Sequence, residues 1–136
     1  MNRNELQRLA GIRIRETKTL FKAGEYSGAY YLAGYAVECA LKACYAKSIK
    51  RHDFPEKTVR QVFTHSLTEL VVLAGLKKEL EIAIRQSGRL AANWNITYEW
   101  SEDSRYKVWI RDDAEAILNA INTRRYGVLP WIKQYW

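Results

Sequence analysis

The chain has 136 residues, of which 48% are hydrophobic and 27% are charged. This length and composition suffice for one hydrophobic core, while only two prolines and seven glycines exclude long linkers and low-complexity tracts. We therefore expect residues 1–136 to fold as a single domain.

The net charge of +7 predicts acidic partners, such as nucleic acid, nucleotides or an acidic protein. Residues 1–60 hold 12 basic and 6 acidic side chains, whereas residues 61–136 hold 10 and 9. The excess of positive charge therefore lies mainly in the N-terminal part. Because no signal-peptide core and no apolar run of membrane-spanning length follows Met1, we expect a cytoplasmic protein without membrane contact.

Apolar residues recur at helical spacing along most of the chain, and no stretch alternates with the period of a strand before a hairpin turn. The expected fold class is all-α: an antiparallel up-and-down bundle of four to five helices plus a short C-terminal helix. The predicted helices cover residues 4–22, 25–48, 66–75, 77–92, a segment capped by Asp112 or Asp113, and 131–136.

Capping residues support several of these boundaries. Asn2 or Asn4 is a suitable N-cap for the first helix, and Gly24 ends it. Ser66 and Glu69 have the spacing of a capping box, and Gly75 is a suitable stop for the short third helix.

The second predicted helix is rich in small residues, which allow another helix to approach closely. Between its ends only Glu38 and Lys42 carry charge, one turn apart and in the favourable order, so we expect this helix to be mostly buried. Cys39 and Cys44 lie five residues apart on it. They point in different directions and are too distant for a disulfide, which predicts two free buried thiols.

Residues 93–109 show neither helical nor strand periodicity. We expect an ordered loop pinned by four aromatic side chains, namely Trp94, Tyr98, Trp100 and Tyr106. All five tryptophans fall between positions 94 and 136. This clustering indicates that they either close the bundle or form a dimer interface.

The sequence contains no glycine-rich phosphate loop, no nucleophile elbow and no zinc-ligand spacing, so no metal or other cofactor is predicted. Of the two histidines, His52 is expected in a solvated loop. Arg60 and His65 are candidate catalytic residues, because a guanidinium and an imidazole together can support metal-independent RNA cleavage. The alternative for His65 is a local capping or packing role.

Two further sets of residues are candidates for phosphate or nucleotide contacts. The first predicted helix carries five basic side chains: Arg8, Arg13, Arg15, Lys18 and Lys22. They either contact the phosphate groups of a nucleic acid or form a solvated helix face. Arg105 and Tyr106 combine one guanidinium with one stacking ring, which suits a minimal nucleotide contact or, alternatively, a structural clamp.

Residues 29–43, AYYLAGYAVECALKA, strongly resemble the second-helix signature of HEPN (higher eukaryotes and prokaryotes nucleotide-binding) domains, an Ala-rich helix with an A-x-E-x-A-L-K-A core. Residues 65–70 resemble that family's H-x-L-x-x-L segment. Arg105 and Tyr106 resemble its R-Y pair before the last long helix. The resemblance covers nearly the whole chain.

The resemblance implies a small antiparallel helical bundle, commonly a homodimer, in a family associated with nucleotide binding, RNase activity and toxin–antitoxin pairs with a minimal nucleotidyltransferase. Its RNase branch has an Arg followed after four to six residues by a His near the last long helix. This sequence departs there, since no histidine follows Arg105. Arg60 and His65 have the spacing but precede the third helix.

Glu38 and Lys42 match the family's helix 2 positions. They either line a groove between helices or subunits, and so join Arg105 and Tyr106 as nucleotide-binding candidates, or form a mutually satisfied buried pair. The leading hypothesis is a nucleotide- or RNA-associated module in a toxin–antitoxin or defence system with a nucleotidyltransferase partner. The alternatives are a metal-independent RNase toxin, and a non-enzymatic helical interaction module that docks a partner at its tryptophan-rich end.

Overall fold

The computed structural model describes residues 1–49 and 63–136. Within these ranges it contains seven α-helices, one 3-10 helix and no strand. The elements in chain order are α1 (Arg3–Lys22), α2 (Tyr26–Ile49), α3 (Leu67–Leu73), α4 (Lys77–Gln86), α5 (Gly88–Tyr98), the 3-10 helix (Glu102–Tyr106), α6 (Arg111–Asn122) and α7 (Val128–Lys133). The predicted all-α bundle is confirmed.

The long helices α1 and α2 form an antiparallel hairpin. At the start of α1, the Asn2 side chain accepts a hydrogen bond from the Glu5 backbone N–H, and the Glu5 carboxylate accepts one from the Asn2 N–H. This pair satisfies two otherwise free backbone donors. Gly24 ends the helix with a positive φ of 80°, a conformation that glycine adopts without steric cost.

Helix α2 forms the centre of the bundle. It packs along α1 and also contacts α3, the 3-10 helix, α6 and α7. Its small side chains, including Ala33, Ala36 and Ala40, are fully buried and let these elements approach its backbone. The prediction of a mostly buried second helix is confirmed, and this burial fixes which narrow stripe of α2 stays accessible.

The predicted helix over residues 77–92 is wrong in its extent, because Ser87 divides it into α4 and α5. Ser87 has extended backbone dihedrals and its hydroxyl accepts a hydrogen bond from the Leu90 N–H, so that it caps the second of the two helices. Serine competes with the helix for backbone hydrogen bonds, which explains the break. By contrast, the third helix is short and capped by Ser66 as predicted.

The predicted loop over residues 93–109 is also wrong in its first part. Helix α5 continues to Tyr98, and the 3-10 helix begins at Glu102 after three intervening residues, 99–101. Trp94 and Trp100 are buried as expected, whereas Tyr98 and Tyr106 are exposed, with the Tyr98 ring centre 6.3 Å from that of Trp94. Burial of the Trp94 and Trp100 rings and stacking of Trp109 on Tyr30 hold this segment against the core.

Helix α6 begins at Arg111, and neither Asp112 nor Asp113 is its N-cap. The residue at that position is Ile110, and the Asp113 carboxylate reaches back to accept a hydrogen bond from the Ile110 N–H at 3.3 Å. The tail helix α7 covers Val128–Lys133 and so begins earlier than predicted. Both differences arise at helix ends, where the capping interaction is local and several polar residues compete.

The tryptophans serve mainly to close the bundle. Trp94, Trp100 and Trp131 are buried, and Trp109 and Trp136 pack half-buried against the same core. The Arg3 guanidinium donates to the Trp136 carbonyl oxygen at 2.6 Å, which joins the start of α1 to the tail. In the described ranges, no helix has the length and apolar character needed to cross a membrane.

Candidate functional site

One stripe of α2 remains incompletely covered by other helices. Its residues are Tyr31, Tyr35, Glu38 and Lys42, which share one side of the helix because they are spaced by three or four positions. Both tyrosines and Lys42 are half-buried, whereas Glu38 is buried. The stripe therefore places one buried carboxylate beneath partly accessible cationic and aromatic groups.

Glu38 is held by two partners. The Lys42 ammonium donates to its Oε2 at 3.2 Å, and the His65 Nδ1 lies 2.8 Å from its Oε1. Only 2% of the Glu38 side chain is exposed, so each carboxylate oxygen has replaced water with a protein partner. A buried carboxylate requires such pairing, because unpaired burial of a charge is costly.

His65 lies between two carboxylates. Its Nδ1 faces Glu38, while its Nε2 lies 3.1 Å from Oε2 of Glu102 in the 3-10 helix. A neutral imidazole carries one N–H and can donate to only one of them, whereas the imidazolium form can donate to both. Through these two contacts His65 connects α2 with the 3-10 helix.

Glu102 extends this network to Arg105. The Arg105 Nη1 lies 2.9 Å from Glu102 Oε1, and the Arg105 guanidinium lies 4.8 Å from the centre of the Tyr106 ring. The Tyr106 side chain, followed by that of Glu102, raises the pKa of Arg105, although desolvation opposes the change. The groups from Lys42 to Arg105 thus form a continuous polar network that ends in the exposed ring of Tyr106.

Two aromatic anchors place the 3-10 helix against α2. At one end, the Trp100 indole N–H donates to the Tyr31 carbonyl oxygen at 3.1 Å, and its ring lies over Gly34. At the other end, the Trp109 ring stacks on Tyr30 with 3.7 Å between ring centres. These contacts fix the backbone that carries Glu102 and Arg105.

Of the basic residues on α1, Arg13 is the one in contact with this face. Its guanidinium lies 5.9 Å from the Tyr35 ring centre and pairs with Glu16 at 2.6 Å. Burial, followed by the nearby Cys39 and Glu38, raises the pKa of Tyr35. Arg3 is half-buried and bonded to the tail, and the remaining basic side chains of α1 are solvent-exposed: Arg8, Arg15, Lys18 and Lys22.

The structure brings together most of the side chains singled out in the sequence. Those in the network or beside it are Glu38, Lys42, His65, Arg105 and Tyr106. Arg60 and His52 lie outside the described residues, so the pairing of Arg60 with His65 remains a prediction. Sequence reasoning missed Glu102, which its i,i+3 spacing to Arg105 could have indicated.

The two cysteines of α2 take no part in this network. Both thiols are free and buried, as predicted. Burial raises the pKa of Cys39 and of Cys44 to about 11, from an ordinary value of 9.0. They are therefore neutral at physiological pH and poor nucleophiles, because the reactive species of a cysteine is its thiolate.

Elsewhere the described part of the chain offers little that resembles a catalytic centre. No group of His, Cys, Asp and Glu residues within it could hold a metal ion. A cleft of about 460 Å³ lies between α4, α5 and α7, where Ile82, Tyr126 and Trp131 contribute to its walls. It contains none of the predicted site residues.

The family model of the HEPN domain matches residues 4–123, which include every described residue of the network. No curated protein and no solved structure matches the chain.

Proposed function

Because the chain belongs to the HEPN domain family, we propose that it is a nucleotide- or RNA-binding module whose ligand contacts Arg105 and Tyr106. The observation that carries the proposal is the position of these residues. Both are exposed on the 3-10 helix, at the outer end of the charged network, with the guanidinium 4.8 Å from the ring centre. A phosphate and a base are the groups that such a pair can bind together.

The two side chains supply complementary interactions. Arg105 can donate charge-assisted hydrogen bonds to phosphate oxygens, and Tyr106, with 75% of its surface exposed, can stack on a base. The exposed basic residues of α1 add long-range attraction for a polyanion. Binding should therefore weaken steeply with added salt.

The test is titration of a short single-stranded RNA oligonucleotide, and of AMP, into the protein at low ionic strength. We expect Arg105→Ala to weaken binding by about tenfold, because a charge-assisted hydrogen bond to the phosphate is lost. Arg111→Ala is the matched control, since Arg111 is an exposed arginine nearby that pairs with Glu115 at 3.8 Å and lies 5.9 Å from the Phe21 ring centre. Absence of binding at low salt, or equal losses in both variants, would contradict the proposal.

For the cellular setting, we propose a toxin–antitoxin pair with a minimal nucleotidyltransferase as the partner. This proposal rests on family membership alone. Expression of the protein should slow growth, and co-expression of a nucleotidyltransferase encoded beside it should restore growth and co-purify with it. Neither toxicity nor co-purification would be seen if the setting is wrong.

We also propose that the protein is a homodimer, as is common in the family. The exposed residues Val108 and Ile110 form an apolar surface that a second copy could cover. Light scattering of Val108→Asp should show a monomer, while Val72→Asp, the same change at another exposed valine, should stay dimeric. A wild-type monomer at all concentrations would exclude the dimer.

The second candidate function is metal-independent RNA cleavage by Arg60 and His65. Both nitrogens of His65 already face carboxylates, which supports a binding role over that of a free base. Incubation of RNA with the protein in the presence of a chelator distinguishes binding alone from cleavage. Cleavage that is lost in His65→Ala would support catalysis, and cleavage that persists would exclude His65.

A further inference from the structure

The carboxylate of Glu102 lies between side-chain nitrogens of His65 and Arg105. Its Oε1 lies 2.9 Å from the Arg105 guanidinium, and its Oε2 lies 3.1 Å from Nε2 of His65. These two groups come from separate parts of the chain, the segment before α3 and the 3-10 helix. An anion with two oxygens is thus bound by two donors that converge on it.

The two donors differ in how firmly they are held. His65 is fixed from behind, because its Nδ1 contacts Glu38, whose side chain is only 2% exposed and is also paired with Lys42. Arg105 has a similar exposed fraction, 43% of its side chain against 39% for His65, but its carboxylate partner Glu102 is itself 30% exposed. His65 therefore keeps its Nε2 directed at the Glu102 position even when the occupant of that position changes.

Glu102 itself can leave this position. Its side chain is 30% exposed and lies in the first turn of the 3-10 helix. Within the described residues, its ion-pair partners are His65 and Arg105 alone. Rotation of its side chain would expose both donors without moving the backbone, which Trp100 and Trp109 anchor.

We infer that the position of the Glu102 carboxylate is a phosphate-binding site formed by His65 and Arg105, and that Glu102 competes with the ligand for it. Two oxygens of a phosphate are separated by nearly the same distance as those of a carboxylate, so both donors can bind either group. The inference rests on the proposed function, which supplies the phosphate as part of a nucleotide or RNA. It adds His65 to the ligand contacts and makes Glu102 the residue that sets the affinity.

The first test compares Glu102→Gln with Asp103→Asn. Both remove one negative charge from the same 3-10 helix, but Asp103 is exposed and lies next to the network rather than in it. We expect Glu102→Gln to tighten binding of the RNA oligonucleotide by about tenfold, and Asp103→Asn by less than about twofold. The gain should disappear in the double variant Glu102→Gln/Arg105→Ala. Equal gains in the two single variants would overturn the inference, because they would reflect net charge alone.

The second test needs no nucleotide. The rate at which phenylglyoxal modifies Arg105, followed by peptide mass spectrometry, reports how free the guanidinium is. We expect a rise of several-fold in Glu102→Gln and none in Asp103→Asn, and we expect inorganic phosphate to slow the reaction in Glu102→Gln. An unchanged rate in Glu102→Gln overturns the competition even if RNA binds. A raised rate that phosphate suppresses, without RNA binding, supports the phosphate site and counts against the proposed function.

Discussion

Two kinds of contact fasten residues 99–110 to α2, and they differ in what can replace them. At one end Trp100 donates its indole N–H to the Tyr31 carbonyl oxygen, and at the other Trp109 stacks on Tyr30 and donates its backbone N–H to the Ser27 hydroxyl. Between them, Glu102 is held by ion pairs that start from buried Glu38. No solute replaces the packing of the buried rings, whereas a phosphate can replace a carboxylate as the partner in an ion pair. The backbone of the segment is therefore fixed at both ends, while the Glu102 carboxylate at its centre can be replaced by another anion.

A substitution at Gly34 should disrupt the aromatic contacts of this segment more than any other change considered. A methyl group added there would lie 2.2 Å from two atoms of the Trp100 ring, a distance that forces the indole or the helix to move. We expect Gly34→Ala to lower the free energy of unfolding by about 3 kcal/mol, measured by urea denaturation.

Gly28→Ala is the control for that substitution on the same helix. Its added methyl meets only the flexible end of Leu20 at 3.2 Å, and alanine has the higher helix propensity. We expect a change within about 1 kcal/mol of zero. A similar loss in both variants would show that α2 tolerates no added methyl, and that the Trp100 contact is not special.

A substitution at Glu38 should disrupt the ion pairs that hold Glu102. Glu38→Gln keeps the shape of the side chain but removes the charge shared by Lys42 and His65. We expect a loss of about 2 kcal/mol in the free energy of unfolding, since the lost hydrogen bonds are charge-assisted and one partner is buried. Glu16→Gln, which removes the more exposed pair with Arg13, should cost less than about 0.5 kcal/mol. Equal effects would mean that burial adds nothing to the network.

The smallest effect concerns the thiols, which are buried on α2 without a charged partner of their own. Because the pKa of each rises from 9.0 to about 11 on folding, the folded state binds the thiol proton more tightly than the unfolded state. The contribution of each thiol to stability is therefore fully present below its pKa in the unfolded chain, and it is lost as the pH rises through its pKa in the folded protein. Each thiol should contribute a loss of about 1 kcal/mol between pH 8 and pH 10.

Alanine variants measure that contribution. Cys44 is the better position, because Cys39 also raises the pKa of Tyr35, whereas the tyrosines with raised pKa values should destabilise the wild type and Cys44→Ala alike at high pH. The stability of Cys44→Ala relative to wild type should improve by about 1 kcal/mol from pH 8 to pH 10. A constant difference would indicate that the Cys44 thiol ionises as freely in the folded protein as in the unfolded chain.

Sequence reasoning succeeded where the cause is local. The caps at Asn2 and Ser66 satisfy backbone donors three residues away, and the Lys42–Glu38 pair spans one helical turn. It failed at Ser87 and in residues 93–98, where a polar residue could either continue or cap a helix and where burial of Trp94 favoured helix over loop. Hydrophobic periodicity does not reveal the choice between helix and loop here, because that choice depends on which neighbouring element packs over the segment.

Spacing and residue chemistry along one helix or turn were sufficient to predict the all-α fold, the buried α2, the free thiols and most of the side chains at the site. The connections between those side chains, by contrast, depend on tertiary contacts. His65 reaches Glu38 across 27 positions, and Glu102 joins them from the 3-10 helix. Such contacts depend on the packing of whole elements by Trp100 and Trp109, which fixes distances that no local pattern encodes.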